Sequence, residues 1–272
     1  MSGKAALRPK EPRNFKITAA VAAVMLLVYV VASRLGPWSP KKGLGLAFGF
    51  LATLLFVFEM AYPWRRSRAR PLGTAKAWIQ AHVYLGVIAF VAVLVHSDLS
   101  WPRGSMGWVL LVLSFWTTVS GLAGVFLQKW IPATLAESLR VEALYERIPE
   151  LVASRLAEAD ALMVGSSDLL ARFYRTEARR LMEKVSPSYA FLLDVRGGRD
   201  RAIEPFRRMG QFVDPEEKKK LDDLVTLYIE KVELDAHYSL QGILRRWLVW
   251  HVPPAVLLMA AVVVHIVGWM VY

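Results

Sequence analysis

Apolar residues in this chain gather into long runs instead of alternating with polar ones. Five runs stand out, at about 17–32, 43–62, 79–97, 106–128 and 247–272. Each has roughly the 17–25 residues an α-helix needs to cross a hydrocarbon layer about 30 Å thick. Between the fourth and fifth lies a polar stretch, 129–245, where apolar residues recur at helical spacing. The pattern predicts an all-α integral membrane protein, a five-helix bundle with a helical cytoplasmic insert. Transmembrane helices 1–4 fall within 1–128, the insert spans 129–245, and the fifth helix, within 246–272, completes the bundle.

Within the insert, ESLRVEALYERIPELVASRLAEADALM predicts helix, with Pro149 starting a new helix or kinking one. SSDLLARFYRTEARRLMEK follows with a Ser/Asp start signal. VRGGRD reads as a turn before a short helix at about 200–211. Asp214-Pro215-Glu216-Glu217 supplies an N-cap, a first-turn proline and acids at the positive end of the helix dipole. The helix begun there is free to run into the fifth span.

Composition sharpens this picture. Of the 272 residues 55% are hydrophobic, and the net charge is +11. Residues 129–246 hold 20 Lys/Arg and 20 Asp/Glu, so the excess lies in the remaining 14 basic and 3 acidic residues. These basic residues cluster before the first span (Lys4, Arg8, Lys10, Arg13, Lys16) and between the second and third (Arg65, Arg66, Arg68, Arg70, Lys76). By the positive-inside rule the N-terminus and the insert are cytoplasmic and the C-terminus lies outside, in a multi-pass inner membrane protein. The charge is thus a topology signal, and no nucleic-acid partner is expected. The first run, after its basic leader, is expected to remain as an uncleaved span. Trp38, Trp64, Trp78, Trp101, Trp108, Trp130, Trp247 and Trp269 fall near span ends, where interfacial anchors belong. There is no cysteine, which excludes disulfides, c-type haem attachment and cysteine-ligated iron–sulfur clusters in this chain.

The candidate chemistry lies in two stretches, HVYLGVIAFVAVLVH at 82–96 and HVPPAVLLMAAVVVH at 251–265. A helix turns about 100° and rises about 1.5 Å per residue, so fourteen steps return a side chain to within roughly 40° and about 21 Å further on. The third and fifth spans run parallel in this topology. His82 then matches His251 in depth near the cytoplasmic side, and His96 matches His265 near the outer side. Two facing imidazole pairs, one above the other, are what two stacked b-type haems with axial histidines require. A metal or proton site, or packing histidines alone, remain open alternatives.

These pairs resemble the dihaem core of the cytochrome b of quinol–cytochrome c oxidoreductases and the transmembrane domain of ferric reductases and NADPH oxidases. The resemblance implies His82, His251, His96 and His265 as axial ligands of two haem b groups. It does not extend to a flavin and nicotinamide domain, so direct NADPH oxidation by these residues is not expected. The function expected is transmembrane electron transfer, linking a cytoplasmic redox partner or sister subunit, docked through 129–245, or a quinone pool, to an outer-side donor or acceptor. Membership of a quinone-linked oxidoreductase complex is open. The alternative is a histidine-based metal transporter or a structural membrane subunit without haem.

Weaker signals surround the histidines. Ser120-Gly121-Leu122-Ala123-Gly124 on the fourth span, and Gly45 and Gly49 on the second, offer small residues beside a bulky cofactor or a close helix contact. Arg65, Arg66, Lys129, Arg245 and Arg246 on the inside, and Lys41, Lys42 and Arg103 on the outside, are candidate propionate partners. Pro253-Pro254 either kink the fifth helix or mark its start, and in a continuous helix they leave the carbonyls of Val249 and Trp250 without their usual donors. Glu59 reads as an interfacial acid paired with the arginine cluster, or as part of a quinone or proton path. Asp98 reads as a polar helix end. His237, fourteen before His251, is expected to be exposed or partner-facing.

Overall fold

The computed structural model describes residues 12–61, 74–138, 143–188 and 201–271. Lys4, Arg8, Lys10, Trp64, the Arg65–Arg70 cluster and the Gly197-Gly198 turn lie outside the described residues. The described residues form helices and no strand. They are α1 (Pro12–Leu35), α2 (Gly43–Met60), α3 (Ala75–His96), α4 (Ser105–Ser138), α5 (Ile148–Leu162), α6 (Asp168–Phe173), α7 (Arg179–Met182), α8 (Glu204–Met209) and α9 (Pro215–Val271). Five of these, α1–α4 and α9, are long and apolar enough to cross a membrane. The chain divides into two compact units, 1–127 with 247–272, and 128–246.

In the first unit, the helices bury one another's small and branched residues. Ala89 and Ala92 of α3 are fully buried against Met25, Ala52, Phe56, Leu258 and Val262. Ala89 lies midway between His82 and His96, and Leu258 midway between His251 and His265, so each buried midpoint lies on the side of the helix that carries its two histidines. The opposite faces are apolar and uncovered: Leu27, Leu54, Val112, Phe115, Leu257 and Val264 are all exposed. Thr74 caps α3 by accepting from the Ala77 amide (3.2 Å). The stacked rings of Phe58 and Trp78, 5.4 Å apart, join the end of α2 to the start of α3. After α3 the chain turns through left-handed Asp98 and Leu99, with the Leu99 amide donating to the Leu94 carbonyl (2.9 Å). The Asp98 carboxylate accepts from the Tyr29 hydroxyl (2.9 Å).

Helix α9 does not stop at its prolines, which lie inside it. One of the carbonyls they free, that of Trp250, accepts from the Trp116 indole of α4 at 2.9 Å. A helix boundary at Pro253-Pro254 is therefore excluded, and a side chain replaces one missing backbone donor.

The second unit is helical, with one departure from expectation. Over 137–163 a new helix begins at Ile148-Pro149, one of the two outcomes expected of that proline. Residues 143–144 are irregular, a 3-10 turn covers Tyr145–Arg147, and α5 starts at Ile148 with Pro149 in its first turn. A π-helical turn, Tyr174–Ala178, links α6 to α7. The Tyr174 hydroxyl donates to Asp160 at 2.7 Å, and the Arg179 guanidinium donates to the same carboxyl at 2.9 Å, holding it below the usual carboxylate range. Ile148, Val152 and Leu234 form the local core. Within α9, Lys231 and Asp235 make a buried ion pair (2.7 Å) that also takes the Ser186 amide. His237 is buried, not exposed, with the Gln241 side chain 3.2 Å from its Nδ1. Chain outside α9 covers that face: the Ala143 carbonyl accepts from Gln241 (2.8 Å).

Candidate functional site

The four span histidines meet in two pairs within the first unit. His82 faces His251 with ring centres 6.2 Å apart and planes at 80°. His96 faces His265 at 6.4 Å and 82°. Matching at both levels requires α3 and residues 247–271 of α9 to run in the same direction. An imidazole nitrogen binds a metal at about 2.0–2.1 Å, with the ring centre about 1.1 Å behind it, so rings on opposite sides of one metal have centres about 6.3 Å apart. Both pairs have this separation.

The partners of the Nδ1 atoms point the same way. His96 Nδ1 lies 2.8 Å from the Gly45 carbonyl, which can only accept, so this nitrogen carries the proton. His251 Nδ1 lies 2.9 Å from Ser120 Oγ, which is also 3.2 Å from the Thr117 carbonyl. With the hydroxyl proton on that carbonyl, the serine oxygen accepts from this ring. His82 Nδ1 is held by the carboxylate of Glu59, at the end of α2. Three of the four rings thus have a proton acceptor at Nδ1. That fixes the tautomer whose Nε2 lone pair is available to a metal, the usual role of groups behind a metal-bound histidine.

Small residues make room for these rings. A Cβ on Gly49 would stand 2.8 Å from Cε1 and Nδ1 of His96, and one on Gly121 would be 3.3 Å from Cε1 of His251. A Cβ on Gly124 would fall inside the Trp247 ring. Trp247 stacks on His251 (5.3 Å, 18°) and donates its indole N–H to the Ser120 carbonyl (2.7 Å). The SGLAG stretch of α4 is therefore the seat of His251 and its stacking tryptophan.

Other sequence-predicted positions divide. Glu59 meets His82, and the arginine cluster once expected as its partner lies outside the described residues. Their shared depth follows from the topology, since α2 ends where α3 begins. Trp247 was also findable, one helical turn before His251. Arg245 pairs with Glu146 and lies over the Tyr145 ring (4.3 Å), and the Arg246 guanidinium donates to the Gly242 carbonyl (3.3 Å). Each guanidinium already has a protein partner. Among the described residues no three His, Cys, Asp or Glu side chains converge on a common point fit for a metal ion. What the geometry offers is two sites of two opposed imidazoles each, on an all-helical chain with five membrane-length apolar helices. The chain matches no family model, no curated protein and no solved structure.

Proposed function

We propose that this chain is an integral membrane dihaem b-type cytochrome, like the dihaem cores that its histidine pattern resembles. The observation that carries the reading is the pair of opposed imidazoles at metal-spanning distance, twice, about 21 Å apart along one helix face. Bound haem b supplies reversible one-electron iron chemistry. His82 with His251, and His96 with His265, would each hold one haem between two imidazoles, and a group held in this way would supply electron transfer and not oxygen chemistry. Glu59, Ser120 and Gly45 orient the rings, and Gly49, Gly121 and Gly124 give them space.

The uncovered apolar faces of α1–α4 and of residues 247–271 support insertion, since lipid removes that surface from water. The basic N-terminus and second loop support a topology with these segments, and residues 128–246, on the cytoplasmic side of an inner membrane. That unit docks a redox partner or sister subunit. Deleting it is expected to slow reduction of the centre at His82 and His251 by a cytoplasmic donor. Unchanged rates would remove the docking role.

One observation favours a quinone-linked version. A cleft of about 380 Å³ beside the loop after His96 is lined by Phe90, Leu94, Trp101, Trp108 and Phe115. An apolar, aromatic slot of this kind suits a quinone ring. A quinone-site inhibitor is then expected to alter haem reduction in membranes, whereas a plain electron conduit is indifferent to it. For the haem reading itself, the purified protein should show low-spin b-type bands that sharpen with dithionite and ignore carbon monoxide. A colourless protein made with ample haem would favour the transporter or scaffold alternative.

A further inference from the structure

The two centres share their axial ligands but not the groups behind them. At the first, His82 Nδ1 meets the Glu59 carboxylate, and His251 Nδ1 meets the neutral Ser120 hydroxyl. At the second, His96 Nδ1 meets the neutral Gly45 carbonyl. Asp98 follows His96 closely, but its carboxylate is taken by the Tyr29 hydroxyl.

With identical ligands, the hydrogen bonds made by the ligand rings and the local charge decide the difference in potential. A ring that donates its Nδ1 proton to a carboxylate is more basic at Nε2 than one donating to a carbonyl. More charge donated to iron favours the ferric state. The carboxylate's own charge acts in the same direction, and strongly, because little water screens it there.

We propose that Glu59 is a positioning residue that sets the potential of the His82/His251 centre below that of the His96/His265 centre. Electron flow then runs downhill from the Glu59 end of the bundle to the Asp98 end, which is outward in the topology above. With haem held at both centres, one electron would pass from the reduced first centre to the oxidised second, with no bond made or broken. The electron reaches the first centre from a low-potential one-electron donor protein, such as a reduced flavoprotein. This inference rests on the haem reading.

The test is a potentiometric titration of the purified full chain, followed by haem absorbance, on wild type and Glu59→Gln. The amide can still accept from Nδ1 but carries no charge. Wild type should titrate as two one-electron components. In Glu59→Gln the lower one should rise by at least a tenfold change in its reduction equilibrium, about 59 mV for one electron, with the upper one in place. An unmoved lower component, or a shift confined to the upper, overturns the proposal. If Glu59→Gln fails to hold the first haem, single-centre proteins decide. His265→Ala, keeping the first centre, should titrate below His82→Ala, keeping the second, and the reverse order overturns the proposal. Wild type without haem would instead sink the underlying reading.

Discussion

The histidine rings are held from behind by groups that can be removed one at a time. Ser120→Ala takes away the acceptor at His251 Nδ1, and losing such a partner commonly costs 10–100-fold in metal affinity. The variant is expected to lose haem from one centre on dilution or mild heating while the other stays full, as haem-loss kinetics would show. Gly49→Ala puts a methyl 2.8 Å from the His96 ring, and the close atoms include Nδ1 itself. The ring must move off the Gly45 carbonyl, so the same assay should show loss at the His96/His265 centre only. Were a haem iron held between each pair, ring planes at 80° and 82° would leave its two dπ orbitals nearly equal in energy. Low-temperature electron paramagnetic resonance of the oxidised protein should therefore give highly anisotropic low-spin signals from both centres, and rhombic signals would contradict the ring geometry. At this scale the four histidines were legible because fourteen is nearly a whole number of helical turns. Glu59 was not, because an acid at a helix end beside five basic residues has several equivalent partners in one dimension.

Among the helices, the prolines of α9 give the clearest test. The Trp116 indole donates to the carbonyl of Trp250 on an exposed face of these helices, and such a hydrogen bond contributes about 0.5–1.5 kcal/mol net. Trp116→Phe keeps the ring but loses the donor, so thermal unfolding in detergent should move down by a corresponding few degrees. In the second unit, Asp160 has its carboxyl lowered by Arg179, helped by Tyr174. A lowered folded pKa gives stability present above the unfolded value, about 3.9 for aspartate, and lost as pH falls through the folded value. Asp160→Asn should thus destabilise modestly at neutral pH and shed that deficit below about pH 4, with a small amplitude because the pair is partly exposed. Long apolar runs made the five membrane-length helices legible. Their ends were less so: α4 continues to Ser138, past the last of its apolar run, and α9 joins insert to span without a break. Nothing local in YRTEA marks the π-helical turn, which goes with a buried Tyr174 whose hydroxyl reaches Asp160.

For the whole molecule, charge and apolarity divide the labour. The second unit is neutral, its charges spent in pairs such as Lys231–Asp235 and Arg155–Glu230 (2.8 Å). The excess positive charge lies outside the second unit. Division of the chain near residues 128 and 246 follows the change in composition that the hydropathy pattern marks. The pairing across α3 and α9 was legible only because two equal spacings fell on parallel helices, and a single histidine in each span would have carried no depth information. The central claim is that these pairs hold two haems, and it is tested most directly by counting extracted haem per chain in wild type, His82→Ala and His265→Ala. The expected result is two, one and one, with each variant losing a different spectral component. No haem in wild type, or both variants keeping two, would contradict it.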